Sequence, residues 1–321
     1  MSISLSCKLL CVSESAYCIS TTASSGRFNP TNLNPKVTPS MQKQYDAVGW
    51  LSDPFVIVKS PVKIDPYIKI EACLVGEVSE GIIISFRGTL PPAATINSIA
   101  DWIENIFYVN TVSNPYLPGE VHDGFLQAFL TMQADIQNAV QTLNPYGNKP
   151  LYITGHSKGG AMAPIAASYL KRRYNHNITN VITFAGPKPG NGDFANQYQY
   201  DFPNTTNYEN YLDVVPFLPP GKLFIDLLAK FPLLPEVIKN LLLKAAAYDY
   251  EPVCTNNVQY IDSNGVIDNN PIYSNGLIRF GEILEKLTEG TPGVQQIADA
   301  HHLTCGYRYI QGVCQGTVCR S

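Results

Sequence analysis

The residues whose types and order could do chemistry begin with Gly155-His156-Ser157-Lys158-Gly159, a G-x-S-x-G pentapeptide. A serine hydroxyl attacks a carbonyl carbon only when a positioned base takes its proton, so the serine alone says little. Its flanks say more. LYIT at 151–154 reads as a buried strand, and AMAPIAASYLKRRY from Ala161 reads as a helix. A serine bracketed by glycines between strand and helix sits on a tight, strained turn that presents Oγ at the end of a sheet. Side chains in place of the glycines would collide with the strand, the helix or an incoming substrate. The alternative is a glycine-rich turn with a bystander serine.

The base should be one of five histidines, His122, His156, His176, His301 and His302. In a strand–turn–helix serine site the acid and then the histidine follow the serine along the chain, which sets His122 aside. His156 lies inside the pentapeptide and is expected to point elsewhere. His176, in RRYNHN at a helix end, reads as solvated. That leaves His301 and His302, in tandem near the C-terminus. An acid must orient the imidazole and stabilise its cation. Asp213 is the best placed, at the end of the strand-like NYENYL and before VVP, where the edge of such a sheet carries functional groups. Asp193 and Asp201 stand in polar segments and are weaker candidates. A solvated loop carboxylate remains the alternative for Asp213.

These residues need a frame. FVIVKS from Phe55, YIKIEACLVGEV from Tyr67, GIIISFRGT at 81–89, NVITFAG at 180–186 and TNYENYLDVVP at 206–216 read as further strands. GFLQAFLTMQADIQNAVQTL at 124–143 repeats its apolar residues at helical spacing. A first helix is expected in the N-terminal twenty residues, where Leu5, Cys7, Leu10, Cys11 and Cys18 fall roughly on that spacing. Strands alternating with helices imply an α/β domain with a mostly parallel sheet covered on both faces. We read residues 1–321 as one such domain, with 20–40 as a polar surface connector. Residues 222–250 are a cap or insertion, because KLFIDLLAKFPLLPEVIKNLLLKAAA is strongly apolar and broken by two prolines. Two ordinary packed helices are the alternative for that stretch.

Composition narrows the function classes. Of 321 residues, 45% are hydrophobic, enough for a sizeable core, and the net charge of −4 comes with no basic tract. Nucleic acid is therefore not an expected partner, since phosphate binding rests on clustered Lys and Arg. No apolar run reaches the roughly 18 residues of a membrane-spanning helix. The N-terminus lacks a charged leader region, and Lys8 interrupts its apolar stretch, so an intracellular protein is expected. The eight cysteines include no C-x-x-C pair, and no metal or organic cofactor is implied. Buried thiols are their simplest reading, a staple on the tail the alternative. Asn177-Ile-Thr and Asn204-Thr-Thr are glycosylation sequons, triplets common by chance.

Four segments in order, IIISFRGT, VHDGF, ITGHSKGGAMA followed by TFAGPKPGN, and YLDVVPFLPP, resemble the class 3 lipase family, the fungal triacylglycerol lipases and feruloyl esterases with their plant and bacterial relatives. The resemblance spans roughly residues 45–220, with a weaker echo at 301–310. It implies an α/β-hydrolase fold of the lipase type, a mostly parallel central sheet flanked by helices, here with the inserted apolar segment. It implies a Ser-Asp-His triad of Ser157, Asp213 and, since His302-Leu303 fits the family's HL pair, His302. His301 remains the alternative. The oxyanion hole would use the backbone N–H of Lys158 and Thr89 of FRGT. Lys158 stands where relatives carry an apolar residue, and the Asp213–His302 interval looks long. Arg87 and His122 match family positions and read as structural. LPPAATINSIADWIENIFYV after FRGT would supply a lid, or else a packed surface helix. The implied partner is an ester or lipid substrate, with transient contact at a lipid interface. A carboxylesterase for soluble or aryl esters, and a silent hydrolase fold used for binding, are the alternative functions.

Overall fold

A computed structural model describes residues 3–28, 37–61, 70–89, 110–221, 225, 246–268 and 270–319. The expected lid, and almost all of the 222–250 cap or insertion, lie outside the described residues.

The chain's apolar bursts become a sheet whose strands are β1 (Gly26–Arg27), β2 (Phe55–Lys59), β3 (Glu71–Val78), β4 (Gly81–Phe86), β7 (Leu151–His156), β8 (Ile178–Phe184), β10 (Thr206–Asn210) and β12 (Val258–Ile261). Among the described residues they lie in the order β1-β2-β3-β4-β7-β8-β10-β12. The first four pair antiparallel, and every pairing from β4 to β12 is parallel. A smaller sheet is formed by β5 (Thr111–Ser113), β6 (Glu120–His122), β9 (Gly190–Asn191) and β11 (Tyr250–Glu251). The connector at 20–40 therefore contributes an edge strand, with Phe28 fully buried behind it.

Every residue of β4 and β7 is buried, which is why both read as unbroken apolar runs. Side chains alternate across the sheet. Ile82, Ile84, Phe86 and Ile153 enter one core, and Ile83 and Tyr152 the other. The first core is closed by α3 (Asp123–Leu143), α4 (Lys158–Tyr174) and α5 (Gly192–Asp201). The second is closed by α1 (Leu5–Ser15), α2 (Pro39–Val48) and α8 (Arg308–Cys314). The expected first helix is thus present, buried from Cys7 to Ser15. Two more helices, α6 (Gly276–Thr288) and α7 (Thr291–Ala300), form a hairpin over the loop after β10.

Four cysteines, read above as thiols, are instead paired. Cys7 of α1 joins Cys314 of α8, and Cys305 joins Cys319. Two segments more than 300 residues apart in sequence are so covalently tied, which spacing alone could not reveal. Cys11, Cys18, Cys73 and Cys254 are buried free thiols.

Candidate active site

Ser157 caps α4 at φ 58°, ψ −132°, in the left-handed half of backbone space that a side chain enters only at a cost. The flanking glycines make this turn possible. A Cβ on Gly155 would lie 2.2 Å from the Gly159 carbonyl oxygen, and one on Gly159 would lie 2.1 Å from that of Phe86. Strand, turn and helix therefore pack backbone to backbone. Ser157 Oγ is buried and has no hydrogen-bond partner among the described residues. An unpaired buried hydroxyl is uncommon in a folded chain and calls for an explanation such as a reactive role.

Asp213, expected at a strand end, lies in the loop three residues beyond the end of β10 and is fully buried. Its carboxylate accepts from the Val215 backbone N–H at 3.0 Å and the Tyr309 hydroxyl at 2.8 Å. It also accepts from His301 Nδ1, at 2.9 and 3.1 Å from its two oxygens. Burial and the neighbouring Asp213 push the Tyr309 phenol well above its ordinary range, so it stays a donor.

The histidine that meets Asp213 is His301; His302, expected on the strength of its HL pair, does not. His301 is the C-cap of α7, and the Asn210 side chain holds that helix end through the Ala300 carbonyl at 3.0 Å. Successive residues at a helix end point about 100° apart. The ring of His302 accordingly turns away and packs against Tyr307, 4.8 Å between centroids. Burial, with the charge of His301 beside it, moves His302 below the ordinary histidine range.

His156, expected to point elsewhere, instead touches His301. Its Nε2 lies 2.8 Å from the His301 carbonyl oxygen and its ring 4.3 Å from the His301 ring. His156 directly precedes Ser157, so the serine turn and the His301–Asp213 pair meet through it. Burial, then the charge of His301, depress His156 well below its ordinary range and keep it neutral.

Lys158 is the first residue of α4, so its N–H is one of the helix's first-turn donors without an intrahelical acceptor. Its side chain leaves that donor clear. Nζ is buried against the Glu71 carboxylate at 2.6 and 2.8 Å, with both side chains under a tenth exposed. Thr89 is half-buried and follows Gly88, whose Cβ position lies 2.9 Å from Ser157 Cβ. Arg87 behind them is buried, donating to the Ile19 and Ile70 carbonyls at 3.1 and 2.9 Å. His122 accepts from Phe125 N–H at 3.3 Å and stacks on the Phe125 ring, capping α3. Both fit the structural part expected of them. His176, read as solvated, is half-buried and bonded to Gln137 at 2.6 Å.

Sequence reasoning missed Tyr17, His156 and Tyr309. Their contacts join segments 139, 145 and 96 residues apart, and no local pattern marks them. The metal-ligating atoms that come together among the described residues, at Cys7, Cys11 and Cys314, include both sulfurs of a disulfide. A buried serine linked through His156 to an imidazole whose Nδ1 is held by a carboxylate is an arrangement suited to nucleophilic acyl transfer.

Residues 83–223 match the family model for lipase (class 3). The chain is 32% identical over 142 residues to a secreted mono- and diacylglycerol lipase of Fusarium solani, covering 43% of this chain and 39% of that protein. It is 30% identical over 150 residues to a lipase of Rhizomucor miehei, covering 46% and 39%. The chain thus spans about two fifths of the length of these relatives. The crystal structure of M37 lipase superposes with a TM-score of 0.57 at 20% identity, covering 93% of this chain and 98% of that one, which establishes a shared α/β-hydrolase fold. Residues 83–223 are thus similar to the class 3 lipase family, on a chain that shares the α/β-hydrolase fold.

Proposed function

We propose that this chain is a serine ester hydrolase that cleaves acylglycerols, with Ser157 as nucleophile, His301 as base and Asp213 as the acid that orients it. The observation that carries the reading is the pairing of His301 with buried Asp213, linked through His156 to the unpaired, strained Ser157. With Nδ1 donating to Asp213, the basic lone pair of His301 lies on Nε2. Ser157 Oγ adds to the ester carbonyl as its proton passes to His301. The tetrahedral oxyanion is received by the backbone N–H of Lys158 and by Thr89. Collapse expels the alcohol, which takes the proton from His301, and leaves an acyl-serine. Water deprotonated by the same imidazole then releases the acid and restores the serine.

Acylglycerols are favoured by the relatives named as mono- and diacylglycerol lipases. No helix among the described residues is long and apolar enough to cross a membrane. Two disulfides fit an oxidising compartment, as do relatives named as secreted, and both weigh against the intracellular expectation.

The test is hydrolysis of monoolein and diolein emulsions against p-nitrophenyl acetate in solution. Fatty acid release from the emulsions, abolished by Ser157→Ala, is expected. Activity confined to the soluble ester would replace the lipase by a carboxylesterase.

A further inference from the structure

Tyr17 belongs to the short helical turn Ala16–Cys18 after α1, far upstream of the family-matched segment. Its hydroxyl nevertheless stands where the parts of the candidate site meet. The backbone of Gly88 packs directly against it, and its N–H faces the oxygen. The same oxygen lies 2.7 Å from His156 Nδ1, and His156 Nε2 lies 2.8 Å from the His301 carbonyl. The carbonyl end of this chain fixes the protons in it. A carbonyl can only accept, so His156 Nε2 carries the hydrogen and Nδ1 is the acceptor. Tyr17 must then donate to Nδ1, with its oxygen turned to the Gly88 backbone.

Each stop on the chain adjoins a residue of the mechanism: Gly88 precedes Thr89, and His156 precedes Ser157. The last stop is the backbone of His301 itself. Contact is close throughout, since a Cβ on Gly88 would lie 2.2 Å from the Tyr17 hydroxyl and 2.6 Å from the His156 carbonyl oxygen. We infer that Tyr17 is a positioning residue, whose hydroxyl locks the oxyanion loop, the serine turn and the His301 backbone into one reactive geometry. The inference rests on the ester hydrolase reading for its catalytic consequence, though not for its hydrogen-bond pattern. Burial raises the Tyr17 phenol above its ordinary range, and burial holds His156 neutral, so the relay bears no charge at working pH. Its part is to hold distances, where a misplacement of about 1 Å can cost on the order of 10²-fold in rate.

Tyr17→Phe keeps the buried ring and removes only the hydroxyl. On p-nitrophenyl butyrate, kcat should fall by about 10–100-fold with KM within about twofold, because the lost contact aligns reacting groups without touching substrate. Phosphonylation of Ser157 by a fluorophosphonate should slow in the same ratio. A folded Tyr17→Phe variant with wild-type kcat would overturn the inference. A second reading needs no variant: histidine-selective ¹⁵N spectra of the wild type should show His156 protonated at Nε2, bare at Nδ1 and not titrating between about pH 5 and 8. The opposite tautomer, or a titrating His156, would equally overturn it. Were the wild type to hydrolyse no ester, the functional reading would fall, and the tautomer would still decide the relay.

Discussion

At the residue scale, Lys158 shows how a departure from the family pattern is absorbed. A lysine stands next to Ser157 where the family pattern has an apolar residue, and its ammonium is turned into a buried pair with Glu71. The backbone N–H proposed to receive the oxyanion is unaffected by the side chain. Lys158→Leu should therefore retain catalysis while leaving Glu71 buried without its partner. Urea unfolding is expected to show a loss of about 3–5 kcal/mol, nearer the lower figure because Arg87 also lies within reach of Glu71. Adding Glu71→Leu should recover most of it, since an apolar pair of similar volume avoids the desolvation of both charges. Equal stability of Lys158→Leu and wild type would show that the pair is solvated in solution. Ser157 and Asp213 were legible because strand-end signals and chain order point to them. The choice between His301 and His302 was not. It depends on the rotational phase at the end of α7, which a short HL pattern cannot report.

At the scale of elements, β4, β7 and α3 were legible because burial on both faces, or on one helical stripe, writes itself as a continuous or periodic apolar run. The N-terminal helix was legible as a helix, but its burial was not, since Glu14 and Lys8 lie inside it. Lys8 reaches Glu80 at 2.7 and 2.8 Å. Glu14 is buried, and desolvation pushes its carboxyl up to about 7. The sign follows from linkage. Between the ordinary carboxyl value near 4.5 and about 7, the folded chain holds a proton that the unfolded chain has lost, so stability falls as pH rises through this window. Glu14→Gln mimics the protonated form. It should leave stability unchanged at pH 4 and raise it at pH 8, by up to about 3 kcal/mol, when unfolding is followed by urea titration at each pH. An unchanged stability difference across that range would place Glu14 in water.

At the scale of the whole molecule, the two ends of the chain close over the same face of the sheet and are bound together through Cys7 and Cys314. The arrangement ties α1, which leads into Tyr17, to α8, which carries Tyr309. Tyr17 reaches His301 through His156, and Tyr309 reaches it through Asp213. The candidate site thus draws its support from segments outside the family-matched region, which is why the matched motifs alone indicated the chemistry but not the residues that hold it in place.

Activation of Ser157 by His301 paired to Asp213 is the centre of the proposed chemistry. The most direct test is the rate of fluorophosphonate labelling, read by intact mass, in the wild type and in Ser157→Ala, His301→Ala and His302→Ala. One label is expected on the wild type, none on Ser157→Ala, a loss of at least about 10³-fold in rate for His301→Ala, and a rate within about tenfold of wild type for His302→Ala. Rapid labelling of His301→Ala together with loss of labelling in His302→Ala would contradict the assignment, and an unlabelled, folded wild type would contradict the chemistry itself.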